Sequence, residues 1–316
     1  MGSRSAAVAV AALVSVAACG LDVVGRALPA ESASDSPTST DATTPEPERL
    51  GDGTEDPGAD AAPPEETPID AGPVDAGPCG LPVLADNFAQ GLGKWTQYGG
   101  VEQAVAGNNN AYARLIAEGV ESRAAGLFWL PNMNAKAFKA SFSYYVSTPA
   151  RDWYMGDGFT FSWLTSTGSA PLGSGAVTGQ GLGLQPGTAG YAFALDEWQN
   201  TSIGDLKGPS FNLLHIDAAR GSPGSYDWHL VKKGPYYDSD VYDAWRTIEI
   251  TVADGKASAW FRFVPNGTRS TLFTDVAVDT SANIVAIGFT AATGGSDAMG
   301  FFVDTVSIEL TDATCK

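Results

Sequence analysis

Basic residues are scarce. The 316-residue chain carries 18 Lys and Arg against 36 Asp and Glu, a formal net charge of −18. That balance offers no basic footprint for nucleic acid and no basic patch for anionic lipid. Histidine and cysteine are scarcer still, at two and three residues, which argues against a Cys/His zinc cluster. Beyond the N-terminus no apolar run reaches the length of about 18 residues that a membrane-spanning helix needs. What the chain does have is glycine, at 37 residues, and a hydrophobic content of 44%. Its length suits one or two domains.

The first residues read as an address. Met1 to Ala18 hold one early charge, Arg4, and then an Ala/Val-rich run, the pattern of a signal peptide. The run ends in Val16-Ala17-Ala18-Cys19-Gly20, which resembles the bacterial lipobox. The resemblance implies cleavage before Cys19 and acylation of that residue, and several acyl chains hold a protein firmly to a bilayer. Gly20 after the cysteine favours the outer membrane over the inner one. An ordinary secretory signal with a chance cysteine is the alternative.

From about Glu31 to Pro78 large apolar side chains almost vanish. Between Gly20 and Pro78 there are 14 acidic and two basic residues, and 11 of the 19 prolines lie between Pro29 and Pro82. A segment of this kind cannot bury enough apolar area to offset its ordering entropy, so disorder is expected. Like-charge repulsion and proline keep it extended. The expectation is an acidic, Pro-rich tether that lifts a domain off the membrane. Without it the balance changes: residues 79–316 hold 22 acidic and 15 basic residues, so the remainder is only mildly acidic.

Residues 79–316 carry the two-residue alternation of β-strands. Phe138, Ala140, Phe142, Tyr144 and Val146 alternate with more polar residues, as do Ile248, Ile250 and Val252, and Ala257, Ala259, Phe261 and Phe263. Asp254-Gly255 between two such runs is a strong hairpin signal. No convincing helical segment exceeds two turns. An all-β sandwich of two antiparallel sheets follows. Cys79 and Cys315 bracket this region, and in an exported protein they suggest a disulfide, with two free thiols as the alternative. Closing so long a loop stabilises by about 4–5 kcal/mol in the chain-entropy picture.

Several stretches go further. They are Gly156-Asp157-Gly158-Phe159-Thr160-Phe161, then Ala194-Leu195-Asp196-Glu197-Trp198-Gln199-Asn200 with Asp205 behind it, and Val285-Ala286-Ile287-Gly288-Phe289-Thr290-Ala291-Ala292-Thr293-Gly294-Gly295. With the Gly-rich Gly179-Gln180-Gly181-Leu182-Gly183-Leu184, their order and spacing resemble the L-type, legume-type or concanavalin A-like lectins. The resemblance implies a jelly-roll sandwich and a calcium-dependent sugar site. In it Asp157 accepts hydrogen bonds from sugar hydroxyls, Asn200 donates one, and the amide of Gly179 or Gly181 points into the pocket. Calcium, which takes six to eight hard oxygens, falls to Asp196, Asn200, Asp205 and the carbonyl of Trp198. The family's transition-metal Glu is replaced by Ala194, which puts a second metal in doubt, although His215 stands near the family's metal-binding His. Trp153, Tyr154 and Trp198, and less securely Tyr236 and Tyr237, are candidate plates for the apolar face of a sugar. Related lectins often dimerise through sheet edges.

The bland readings stand beside these. Asp-Gly is a common turn, and the acceptors of residues 196–205 can cap their own backbone. A glycan-degrading enzyme of the same fold needs two carboxyls flanking one bond, commonly as Glu-x-Asp-x-x-Glu on one strand. Here both glutamates are missing around Asp196, so no enzyme is expected. A non-catalytic adhesion sandwich without a sugar pocket is the remaining alternative.

Overall fold

A strand that alternates apolar and polar residues buries one face, so two sheets of such strands close over each other. The computed structural model shows this arrangement. It describes residues 82–105, 111–148, 156–197, 209–217, 228–236, 241–264, 267–295 and 299–315. The signal peptide, Cys19, the tether and Cys79 lie outside the described residues. In chain order the strands are β1 (Val83–Asp86), β2 (Thr96–Tyr98), β3 (Glu102–Val105), β4 (Ala111–Ile116), β5 (Ala124–Trp129), β6 (Met133–Asn134), β7 (Phe138–Ser147) and β8 (Gly158–Ser166). There follow β9 (Ala189–Asp196), β10 (Ser210–Ile216), β11 (Trp228–Tyr236), β12 (Arg246–Ala253), β13 (Lys256–Arg262), β14 (Arg269–Ala277), β15 (Ala286–Ala292), β16 (Gly300–Leu310) and β17 (Thr314–Cys315).

One sheet runs β14-β13-β12-β7-β16-β4-β3 with β1 also on β16, and the other runs β11-β10-β9-β8-β15-β5-β2. The expected hairpin is present. Ala253 pairs with Lys256, and Asp254 and Gly255 both take positive φ, 51° and 70°, as a two-residue hairpin turn requires. At the C-terminus β17 pairs with β6, and Cys315 is disulfide-bonded.

Aromatic rings join the two sheets. Phe142 of β7 meets Phe161 of β8 at 5.1 Å and Phe289 of β15 at 4.9 Å between ring centroids. Ring pairs of this geometry add about 0.5–1.5 kcal/mol each beyond the area they bury. The centre of the second sheet departs from simple alternation. Every residue of β15 and all but the last two of β8 are buried. Their outer face is covered by the Gly-rich segment between β8 and β9. Leu182 and Leu184 of that segment pack with Leu164, Ala194, Leu214 and Ile216 in a second, smaller apolar cluster. Tyr98 holds the cover from the sheet edge. Its hydroxyl donates to the Gly183 carbonyl at 2.8 Å, and its ring lies where a Cβ on Gly126 or Gly173 would stand. The sugar-site glycines of the sequence are thus part of a third layer.

Candidate functional site

Antiparallel pairing decides which residues meet. Gly158, at the start of β8, pairs with Asp196 at the end of β9 and with Ala292 at the end of β15. Ser210, at the start of β10, pairs with Asp196 from the other side. Asp157, Asp196 and the loop after β15 are therefore neighbours at one end of the sheet, although they lie far apart in the chain.

Asp157 is 6% exposed. Its carbonyl accepts the Glu197 N–H at 2.9 Å, which ties the β8 and β9 ends together. Gly158 follows with φ 143°, and a Cβ there would strike the Leu195 carbonyl oxygen at 2.2 Å. The Asp-Gly pair is thus a close approach of two strands and no hairpin turn. Two further glycines stand over the carboxylate. A Cβ on Gly294 would be 2.8 Å from Asp157 Oδ2, and one on Gly179 would be 3.6 Å from both carboxylate oxygens. Gly179 takes φ 60° and its N–H donates to the Thr293 carbonyl at 3.2 Å. Of the two glycines named from the sequence, only Gly179 stands over the Asp157 carboxylate, and its N–H, expected to point into a pocket, is instead taken by the Thr293 carbonyl. Gly181 does not face the carboxylate, since its Cβ position is occupied by Val177 at 2.3 Å, so it serves packing within the cover.

The loop after β15 is braced from behind by a segment whose role the sequence did not signal. Ser122 N–H donates to the Gly294 carbonyl at 2.6 Å, and Thr293 N–H to the Arg123 carbonyl at 2.9 Å. The Thr293 hydroxyl donates to the Val120 carbonyl at 2.7 Å.

The outer face of β9 follows from strand parity. Ala194 and Asp196 point to the outer face of β9, with Asn212 paired to Ala194 and Ser210 to Asp196. All four are buried. Asn212 Nδ2 lies 2.9 Å from Ser210 Oγ, and its Oδ1 has no partner among the described residues. The donors on this face are oxygens from a carboxylate, a hydroxyl and an amide, a set that suits calcium. The candidacy of His215 as a metal ligand fails on the same ladder. The residue opposite Ala194 is Asn212 and not His215. His215 pairs with Tyr191, five residues from Asp196 along β9, or about 17 Å at 3.3 Å per residue. It also faces the other way, toward the interior of the sandwich, with its ring 4.8 Å from that of Tyr191. His215 is therefore no partner of Asp196. Among the described residues no group of three His, Cys, Asp or Glu is placed to hold a metal. Trp198, Asn200 and Asp205 lie outside the described residues, as do Trp153, Tyr154, Tyr237 and the side chain of Tyr236.

Glu197 was not singled out by its sequence. It faces the interior, 4% exposed, where the Tyr242 hydroxyl donates to its Oε2 and Oε1 has no partner among the described residues. Burial pushes its carboxyl up to about 8 against the opposing pull of the Tyr242 bond, so it holds its proton at neutral pH. The folded state then keeps a proton that the unfolded chain releases near 4.5. Stability must fall as pH rises between these values, by up to about 1.4 kcal/mol per pH unit. Glu197→Gln removes that dependence. In chelator its melting midpoint should match the native one at pH 5 and lie clearly above it at pH 8, as a calorimetric pH series would show.

With this geometry in place, comparison with solved structures is direct. The chain superposes on basic winged bean lectin with Tn-antigen with a TM-score of 0.56, at 15% identity over 73% of this chain and 98% of that one. The VIP36 exoplasmic/lumenal domain in its Ca2+/Man2-bound form gives 0.55, at 13% identity over 74% and 89%. The chain has the L-type lectin fold. Peanut lectin, at 0.53 and 17% identity over 73% and 97%, agrees. No protein-family model and no curated protein sequence matches the chain, in keeping with the low identities.

Proposed function

We propose that the protein is a calcium-dependent carbohydrate-binding protein, lipid-anchored through Cys19 in a bacterial cell envelope. The observation that carries this reading is the Asp157 carboxylate held under Gly179 and Gly294, at the sheet end that also bears Asp196. A neutral sugar offers paired hydroxyls and one apolar face. Asp157 accepts from a hydroxyl pair, and the missing methyls of Gly179 and Gly294 leave room for the ring. Asn200 donates, and Trp198 is the nearest of the proposed plates in the chain. Asp196, Asn200, Asp205 and the Trp198 carbonyl would hold calcium. Bound there, calcium would keep residues 198–205 in the binding conformation and lower the ordering cost of association.

The reading extends to the whole chain. Residues 1–18 direct export, residues 19–78 space the domain from the membrane, and a Cys79–Cys315 disulfide closes residues 79–316. The outer membrane or cell surface is the proposed location, a glycan or polysaccharide the partner, and a homodimer through sheet edges the proposed assembly. A glycan-cleaving reading is disfavoured by strand parity. Asp196 ends β9 and Glu197 follows it facing the opposite side of the sheet, so they do not flank one glycosidic bond.

The test is a glycan array probed with and without a calcium chelator. Binding that chelator removes supports the reading, and no binding on any glycan leaves the adhesion sandwich. Gly294→Ala provides a local check. Its new methyl presses on Asp157 Oδ2, and overpacking of this kind costs roughly 1–3 kcal/mol. Affinity for an array hit should fall about tenfold or more, with the melting midpoint lowered by several degrees and the fold retained.

A further inference from the structure

Strand parity gives the outer face of a half-solvated sheet to polar residues. The sheet that holds β7 and β16 follows this over much of its outer face, with Lys139 and Ser141 on β7 and Ser307 and Glu309 on β16. At one end it does not. Tyr145 of β7 pairs with Phe302 of β16, and both face outward, because their chain neighbours Tyr144 and Phe301 belong to the core. Tyr112 of β4 and Trp245, just before β12, complete a closed set of four rings. Trp245 lies 5.9 Å from Tyr112 and 5.6 Å from Tyr145 between centroids. Phe302 lies 5.5 Å from Tyr112 and 5.8 Å from Tyr145. Strands β4 and β12 stand three places apart in the sheet, about 14 Å, so the Tyr112 and Trp245 rings lean toward each other across β7 and β16. All four side chains remain half-buried. A contiguous apolar patch on a solvent face marks a binding surface.

The rim of the patch selects its occupant. Burial, and then the carboxylates of Asp243 and Glu118, hold the Tyr145 hydroxyl above the ordinary tyrosine range, so it stays a neutral donor. Two carboxylates beside the rings repel an anionic lipid surface and an acidic glycan. A two-fold pairing of copies would set the same patch against itself and bring those carboxylates together. The cation on the adjoining strand, Arg114 opposite Phe302, is already paired with Glu102. A neutral sugar meets no such repulsion. Its apolar face packs on the rings, while its hydroxyls meet the carboxylates and the polar tips of tyrosine and tryptophan. Beside the rings, Arg114 also lines a hollow of about 240 Å³ with Gly99, Gly100 and Ile116, room for a further sugar unit. Neighbouring rings are tilted by 51° to 83°, so they form no flat plate. That relief suits a single soluble chain and not a crystalline surface. We propose that the Tyr112–Tyr145–Trp245–Phe302 patch is a second glycan-binding surface, one that takes a neutral soluble polysaccharide and needs no calcium. It goes beyond the Asp157 pocket and shares with it only the class of ligand.

Affinity electrophoresis of the full chain in chelator tests this, through gels holding a neutral glucan, mannan or galactan, with polygalacturonate as control. At least one neutral polysaccharide should retard the protein, and polygalacturonate should not. Trp245→Ala should weaken that binding about tenfold, and Trp245→Phe should retain most of it. Trp245→Leu keeps an apolar side chain without a ring and should lose binding as alanine does, with a melting curve showing that it folds. A wild-type chain that no neutral polysaccharide retards in chelator overturns the proposal. So does a Trp245→Leu protein that binds as the wild type does. A dimer that Trp245→Ala dissociates in sedimentation, with no polysaccharide bound, overturns it in favour of an interface between copies. Chelator-resistant binding with none gained on adding calcium would end the Asp157 reading and support this one.

Discussion

Replacing Asp157 with asparagine should lower glycan affinity about a hundredfold or more while the protein still folds. The carboxylate is nearly buried, at 6% exposed, and a hydrogen bond from a sugar hydroxyl to an ionised acceptor in such a place contributes roughly 1.5–3 kcal/mol. Asparagine keeps the shape, loses the charge and presents a donor where the second hydroxyl requires an acceptor. Two weakened bonds come to about 3 kcal/mol or more, which is two orders of magnitude in affinity. The fold should tolerate the change because the strands are held by the backbone of this residue, through the bond from Glu197 N–H to the Asp157 carbonyl, and asparagine retains that carbonyl. Surface plasmon resonance against an array hit, with a melting curve beside it, reads both quantities. Native-like binding by Asp157→Asn would rule out the proposed pocket.

The second large effect concerns the cation. Calcium at a hundred times its Kd should stabilise the folded protein by about 2.7 kcal/mol. For a domain of this size that is roughly 5–10 °C in melting midpoint. Asp196→Ala should abolish the shift. Asp196 is the described member of the proposed ligand set, buried at the end of β9 with Ser210 in register beside it, and alanine offers no oxygen to replace its carboxylate. Manganese should give no larger shift than calcium, because Ala194 supplies no carboxylate for a second ion and manganese would compete for the same hard oxygens. Differential scanning calorimetry in chelator, calcium and manganese decides the matter. A calcium shift that survives in Asp196→Ala would place the cation elsewhere on the chain.

Much of this protein was legible in its linear order. Alternation alone specifies the strands around Phe142, Ile250 and Phe261, because the side-chain period of a strand is two and a half-buried sheet must express it. Asp254-Gly255 specifies its hairpin, because only a two-residue turn with positive φ twists the way the flanking strands do. The neighbourhood of Asp157, Gly179 and Gly294 was legible through the motifs, since Gly294 sits where a Cβ would press on the Asp157 carboxylate and Gly179 takes a positive φ, and glycine marks such places in sequence.

Tertiary structure decided the rest, and in each case the reason is register or the sharing of a face. Gly179 and Gly181 look alike in the chain. Only the fold of the third layer turns the first toward Asp157 and packs the second on Val177. His215 looks like a metal ligand when residues are counted from Asp196. The β9–β10 ladder puts Asn212 there instead, because an odd number of residues reverses the face and five residues exceed the reach of any coordination bond. Glu197 reads in sequence as one more acid beside a site. Its inward face and its bond with Tyr242 depend on a turn some forty-five residues away, and no local pattern encodes a contact that the closing of two sheets creates. The sequence by itself determined which strands form and which glycines they need. The pairing of those strands determined which side chains share a site, since partners across a sheet are chosen by the whole sandwich and not by their neighbours in the chain.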